Sequence, residues 1–161
     1  MTMQTAELTV RKTVTVEAPQ ERAFDVFTAG FDRWWPRTHH IGDAEMAEAI
    51  IECREGGRAY ERGVDGSECD WGRVLECDPP NLIVFSWNLN GDYEYDPDPE
   101  HASEVAVTFV AEGPDTTRVD LEHRNLERHG AEGAEKIRST AGNEEGGWGG
   151  LLELFRVRAE R

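Results

Sequence analysis

GRVLECDPPNLIVFSW, residues 72–87, is the stretch whose reading decides the fold. Val74 and Leu75 on one side and Leu82–Phe85 on the other are β-prone, and the Asp78-Pro79-Pro80 break between them is turn chemistry that neither run can continue through. A connection this short joins antiparallel neighbours, because a parallel pair needs a crossover of roughly a dozen residues or more. The two strands are predicted over Trp71–Cys77 and Asn81–Asn88. Alternation then sets Ile83, Phe85 and Trp87 on one face, with Trp71 on the paired strand.

The same grammar runs outward in both directions. Strands are predicted over Glu45–Arg54, Arg58–Arg62, Glu104–Glu112 and Thr116–Asn125, separated by Gly56-Gly57, Asp65-Gly66 and Gly113-Pro114-Asp115. Gly91–His101, with its DPDPE run, is expected to be an irregular, mobile loop. Upstream, Leu8, Val10, Val14 and Val16 alternate with polar residues and predict a strand over Glu7–Val16. Ala18-Pro19 opens a helix that gathers Ala23, Phe24, Val26 and Phe27 on one face, and Gly30 stops it. A second short helix is predicted over Phe31–Trp35, ending before Pro36. At the far end, Trp148, Leu151, Leu152, Phe155 and Ala159 form one helical stripe, with Asn143 as its N-cap. The glycines around Trp148 are costly in a helix, so either the helix starts later than Asn143 or they admit a close approach. The order predicts an α+β domain over 1–161: seven antiparallel strands curved around a long C-terminal helix, with two short helices after the first strand. Such a layer pair leaves a cavity wherever its lining does not fill the space.

Composition narrows the function. With 33 acidic and 17 basic residues among 161, the net charge of −16 opposes binding to nucleic acid or to an anionic membrane surface. Five tryptophans and 38% hydrophobic residues exclude a disordered acidic tail. Cys53, Cys69 and Cys77 are odd in number and lack a CxxC spacing, which predicts free thiols rather than a disulfide framework. With no secretory signal pattern in MTMQTAELTV and no long apolar run, the expectation is a cytoplasmic protein.

Several segments, in order and at matching spacing, resemble one superfamily: VEAPQERAFDVFT, Trp34-Trp35-Pro36, Gly72–Trp87, TTRVDLEHRNL (Thr116–Leu126) and GGWGGLLELF (Gly146–Phe155). The chain is similar to the SRPBCC or START-like superfamily, of helix-grip (START/Bet v-like) fold, and within it to the group related to the activator of the heat-shock-protein-90 ATPase. The likeness runs from about Glu7 to Ala159. It implies a hydrophobic cavity between sheet and C-terminal helix. The superfamily includes lipid and hormone carriers, polyketide aromatases and cyclases, and chaperone regulators, and its motifs pack and turn rather than react.

No residue pattern names a catalytic set or a cofactor. GxSxG, GxGxxG and phosphate-loop patterns are absent, and Ser67, Ser86, Ser103 and Ser139 have no suggestive neighbours. His39-His40 could ligate a metal or gate a pocket, but adjacent residues diverge on a strand, and His101 and His129 sit in polar loops, so no metal is expected. His123 shares a strand face with Val119 and Leu121 and should point inward, where a hydrogen-bonded core histidine competes with a ligand-contacting or acid/base role. The expected ligand-binding lining is Trp34, Trp35, His40, Tyr60, Trp71, Phe85, Trp87, His123, Trp148, Leu152 and Phe155, around a small hydrophobic or aromatic ligand. The alternatives are an aromatase, cyclase or hydrolase-type enzyme using His123 or His40, with Glu61 or Arg73 as its polar companion, and a chaperone ATPase co-regulator. A chaperone or a second copy of the chain is the implied protein partner.

Overall fold

Strand alternation becomes a single antiparallel sheet in the computed structural model, which describes residues 9–141 and 147–161. The strands are β1 (Val10–Val16), β2 (Met46–Ile51), β3 (Arg58–Gly63), β4 (Glu68–Asp78), β5 (Leu82–Trp87), β6 (Ser103–Gly113) and β7 (Thr116–Arg124). They lie in the order β1-β7-β6-β5-β4-β3-β2, so β2 to β7 form a meander and β1 joins its far edge. Register aligns apolar positions across the ladders: Val14 lies opposite Val119, Val107 opposite Leu121, and Ile83 opposite Val107. Of these Ile83, Val107, Val119 and Leu121 are fully buried, each contributing about 1.5–3 kcal/mol of transfer free energy. Glu7 and Leu8, at the predicted start of β1, lie outside the described residues.

The sheet curls because its ladders slip. Register shifts occur at Met46/Glu48, Ala59/Tyr60, Val74/Glu76 and Ala111/Gly113, and each extra residue bends its strand. Gly72 lies opposite Ala59 beside one of these shifts, where a Cβ would run into the carbonyl oxygen of Ser86.

Three helices accompany the sheet: α1 (Gln20–Phe27), α2 (Gly130–Ala141) and α3 (Trp148–Ala159). The second short helix predicted over Phe31–Trp35 is instead one 3₁₀ turn, Phe31–Arg33. Gly30 before it and Pro36 after it leave room for no more. α2 was not predicted at all. It buries only Ala134 and Ile137, too sparse a stripe to stand out in a glycine-containing segment. α3 begins at Trp148, later than Asn143, which lies outside the described residues. Both readings of its glycines meet at Gly147, which caps α3 and sits so close to the carbonyls of Thr140 and Ala141 that a Cβ would collide with them.

One end of the interior is filled by aromatic rings. Phe27 packs at 5.2 Å from Trp34, 5.7 Å from Phe109 and 5.4 Å from Phe155, joining α1, β6 and α3. The expectation of free thiols is corrected for two cysteines: Cys53 and Cys77 form a disulfide, with Cα atoms 5.8 Å apart, and Cys69 is free. The segment after β2 folds onto β4, with Gly56 N–H donating to the Val74 carbonyl and Val74 N–H to that of Gly57, which carries Cys53 alongside Cys77. Sequence spacing does not reveal that approach. Among the described residues no helix is long and apolar enough to cross a membrane.

Candidate functional site

The stripe of α3 meets two different neighbourhoods. Phe155 belongs to the filled end, whereas Trp148, two turns earlier and roughly 10 Å along the axis, borders a cavity of about 820 Å³. Four indoles, those of Trp35, Trp71, Trp87 and Trp148, line it together with Ile41, Leu89, Tyr93 and Leu151. Thr38, His39, His40, Ser139 and Thr140 add polar groups, and Ala141 and Gly147 complete the wall. The rings stand 5.3 Å (Trp35–Trp71), 6.1 Å (Trp35–Trp148) and 5.8 Å (Trp87–Trp148) apart, so they form a continuous aromatic surface.

Hydrogen bonds fix most of these rings. Trp35 Nε1 donates to the His39 carbonyl at 3.0 Å, which folds the Pro36–His39 turn against its own ring. Trp71 Nε1 donates to Glu61 Oε1 at 2.9 Å. Glu61 is only 1% exposed, and its carboxylate also accepts from the backbone N–H groups of Ile41 (2.7 Å) and Gly42 (3.0 Å). One buried carboxylate therefore ties the His40–Gly42 segment of the rim to the Trp71 wall. His40 Nδ1 lies 3.0 Å from the Gly42 carbonyl, so that nitrogen is the donor to it.

Behind the indole wall lies a polar chain with a defined direction. Trp148 Nε1 donates to His123 Nδ1 at 3.2 Å. An indole can only donate, so His123 carries its proton on Nε2, 2.8 Å from Ser103 Oγ. The Ser103 hydroxyl in turn donates to His129 Nε2 at 2.7 Å, joined there by Ser103 N–H at 3.2 Å. His123 is fully buried, and burial, with a smaller contribution from the neighbouring His129, pushes its pKa down from 6.5 to about 3. Burial lowers His129 as well. His123 is thus a neutral structural group, donating to Ser103 rather than taking its proton, and neither residue reaches the cavity wall as a nucleophile–base pair would.

The structure brings Trp35, His40, Trp71, Trp87 and Trp148 of the expected lining together and places the other six elsewhere. Trp34 is held by its Nε1 bond to the Val26 carbonyl at 2.9 Å and packs on Phe155. Leu152 and Phe155 lie further along α3 in the filled core, and Phe85 is buried one strand position pair before Trp87. His123 sits behind Trp148 and Trp87. Tyr60 alternates to the opposite strand face from Glu61, where the Arg58 guanidinium covers its ring at 3.8 Å. Glu61 bonds Trp71 and the rim rather than His123, whose companions are Ser103 and His129. Ser103 was legible in principle, since it shares the inward parity of Val105 and Val107 on β6. His129 ends the 3₁₀ turn Leu126–His129, just before α2, and neither element carries a periodic signal in the sequence. Among the described residues no group of three or more His, Cys, Asp or Glu side chains is placed to hold a metal ion.

Known proteins share this architecture. The synthase titled anthrahydroquino-gamma-pyrone synthase Txn09, complexed with SUM, is 40% identical, with a TM-score of 0.65 over 92% of this chain and 95% of its own. The solution structure of CalC from Micromonospora echinospora, described as a self-sacrificing resistance protein, is 34% identical, with a TM-score of 0.68 over 94% and 93% of the two chains. The Aha1 dimer from Colwellia psychrerythraea, 15% identical with a TM-score of 0.59 over 94% and 96%, shares the fold. No curated protein sequence matches the chain. The profile of one family matches residues 17–159, which take in β2 to β7 and the three helices. The chain belongs to the family of activator of Hsp90 ATPase homolog 1-like proteins.

Proposed function

We propose that the chain is a binding module for a planar, largely apolar aromatic small molecule, held among Trp35, Trp71, Trp87 and Trp148, with His40 at the rim. The observation that carries this reading is the division of one aromatic interior into a filled end and a hollow end. Four indoles border about 820 Å³ of cavity, and an aromatic lining of this kind suits contact with fused rings. The 40% identical synthase supports the same ligand class, since its name describes a fused-ring aromatic compound.

A second reading is a ring-closing enzyme working in the same cavity. It is favoured by His40, a cavity-lining residue whose ring is oriented by the bond from Nδ1 to the Gly42 carbonyl. It predicts that His40→Gln abolishes turnover and leaves affinity within about twofold.

Equilibrium dialysis with fluorene, a planar three-ring hydrocarbon, tests the binding reading. Ala141 lines the cavity, so Ala141→Trp should fill it and weaken binding at least tenfold while the protein stays folded. No saturable binding by the unsubstituted protein would contradict the proposal.

A further inference from the structure

The indoles differ in one respect that points to the ligand's chemistry. Trp34, Trp35, Trp71 and Trp148 each donate Nε1–H to a protein acceptor: the Val26 and His39 carbonyls, the Glu61 carboxylate and the His123 ring nitrogen. Trp87 Nε1 is buried and, among the described residues, is the one buried side-chain nitrogen or oxygen without a partner. Buried donors are ordinarily satisfied, and an exception in a folded protein calls for an occupant.

None of the neighbouring groups supplies one. The nearest ring is His123, with its centroid 5.3 Å from that of Trp87. Its lone pair on Nδ1 is taken by Trp148, and its Nε2 carries the proton given to Ser103. The Ser103 hydroxyl is committed in turn to His129. The bonds of the polar chain behind the wall thus run among its own members, and Trp87, which is only 9% exposed and lines the cavity, is left with a donor and no acceptor.

We infer that Trp87 is a specificity-determining residue: its Nε1–H, with a modest turn of the indole toward the cavity, is received by an oxygen acceptor on the ligand's ring system. The ligand class is thereby narrowed from planar hydrocarbons to fused-ring ketones, quinones or related ring-carbonyl compounds. An indole is donor-only, so it donates to a carbonyl or phenolate oxygen and finds no acceptor in a ring N–H or a methylene. A site built to hydrogen-bond one group discriminates against the analogue lacking it, because the buried partner is then left unpaired. This inference rests on the binding reading above.

The test compares 9-fluorenone with fluorene, which differ only by a ring carbonyl in place of a methylene, by equilibrium dialysis. The unsubstituted protein should bind fluorenone about tenfold more tightly, equivalent to about 1.4 kcal/mol. Trp87→Phe, which keeps an aromatic wall and removes the donor, should bring that ratio close to one, whatever the smaller ring does to the affinity for fluorene itself. In ¹H–¹⁵N spectra, the indole resonance that disappears in Trp87→Phe should move downfield with fluorenone and stay put with fluorene; this readout uses the unsubstituted protein even if the variant folds poorly. Equal binding of both compounds, or a preference that survives in Trp87→Phe, overturns the role of Trp87 and leaves the cavity reading standing. If neither compound binds, both proposals fail together.

Discussion

His123 and Glu61 show how single polar side chains are used in an aromatic interior. His123 is held neutral: the folded protein keeps its pKa near 3, while the unfolded chain returns it to about 6.5. Across that interval the unfolded state binds the extra proton, so the stability tied to neutral His123 is complete above about 6.5 and is lost as pH falls toward 3. The span corresponds to at most roughly 4–5 kcal/mol. NMR should accordingly show a His123 ring that does not titrate between pH 8 and 5; a midpoint near 6.5 would contradict the buried assignment. Glu61 is expected to matter for stability through its acceptors. Glu61→Ala strands two backbone N–H groups and the Trp71 indole and should cost roughly 2–5 kcal/mol by urea unfolding. Glu61→Gln should cost less, since a single carbonyl oxygen at the Oε1 position still serves Ile41 and Trp71.

Among the elements, those with a clear hydrophobic period were legible, the strands by alternation and α1 and α3 by their helical stripes, and α2, which lacks one, was not. The hairpin around Asp78-Pro79-Pro80 and the alternation in β6 and β7 are inscribed in the sequence, because one face of each strand must be apolar and the turns admit few residue types. α2 escaped notice because a helix that covers a cavity rim buries little, here Ala134 and Ile137. The same cause divided the predicted site. Strand parity located Trp71 and Trp87, but it could not tell which inward-facing side chains meet packing and which meet a void. That depends on where α2 and the His40–Gly42 segment come to rest, and Glu61 fixes the latter through bonds between distant residues. Close backbone approach is a testable property at this scale. Gly72→Ala should destabilise by about 1–3 kcal/mol, since its Cβ would press on the Ser86 carbonyl of β5. Gly113→Ala, with nothing within 4 Å of the new Cβ, should fall within about 0.5 kcal/mol of neutral.

Seen as a whole, the molecule separates charge from chemistry. Exposed ion pairs such as Arg11–Glu122 and Arg118–Glu112 lie on the strand faces turned away from the core, where water and salt screen them and they contribute little. A net charge of −16 leaves an excess of repulsion that salt screens, so the melting temperature should rise from low ionic strength to 0.5 M NaCl, roughly, as the Debye length shrinks below 10 Å. Inside that coat, the aromatic interior is continuous from Phe24 and Phe109 at the filled end to Trp87 at the hollow one. The central claim is that the hollow end receives a planar aromatic molecule. Intermolecular NOEs from bound fluorene test it most directly. The account predicts NOEs to the indole protons of Trp35, Trp71, Trp87 and Trp148 and none to Phe24, Phe27, Phe109 or Phe155; NOEs confined to surface residues, or spread over the filled end, would contradict it.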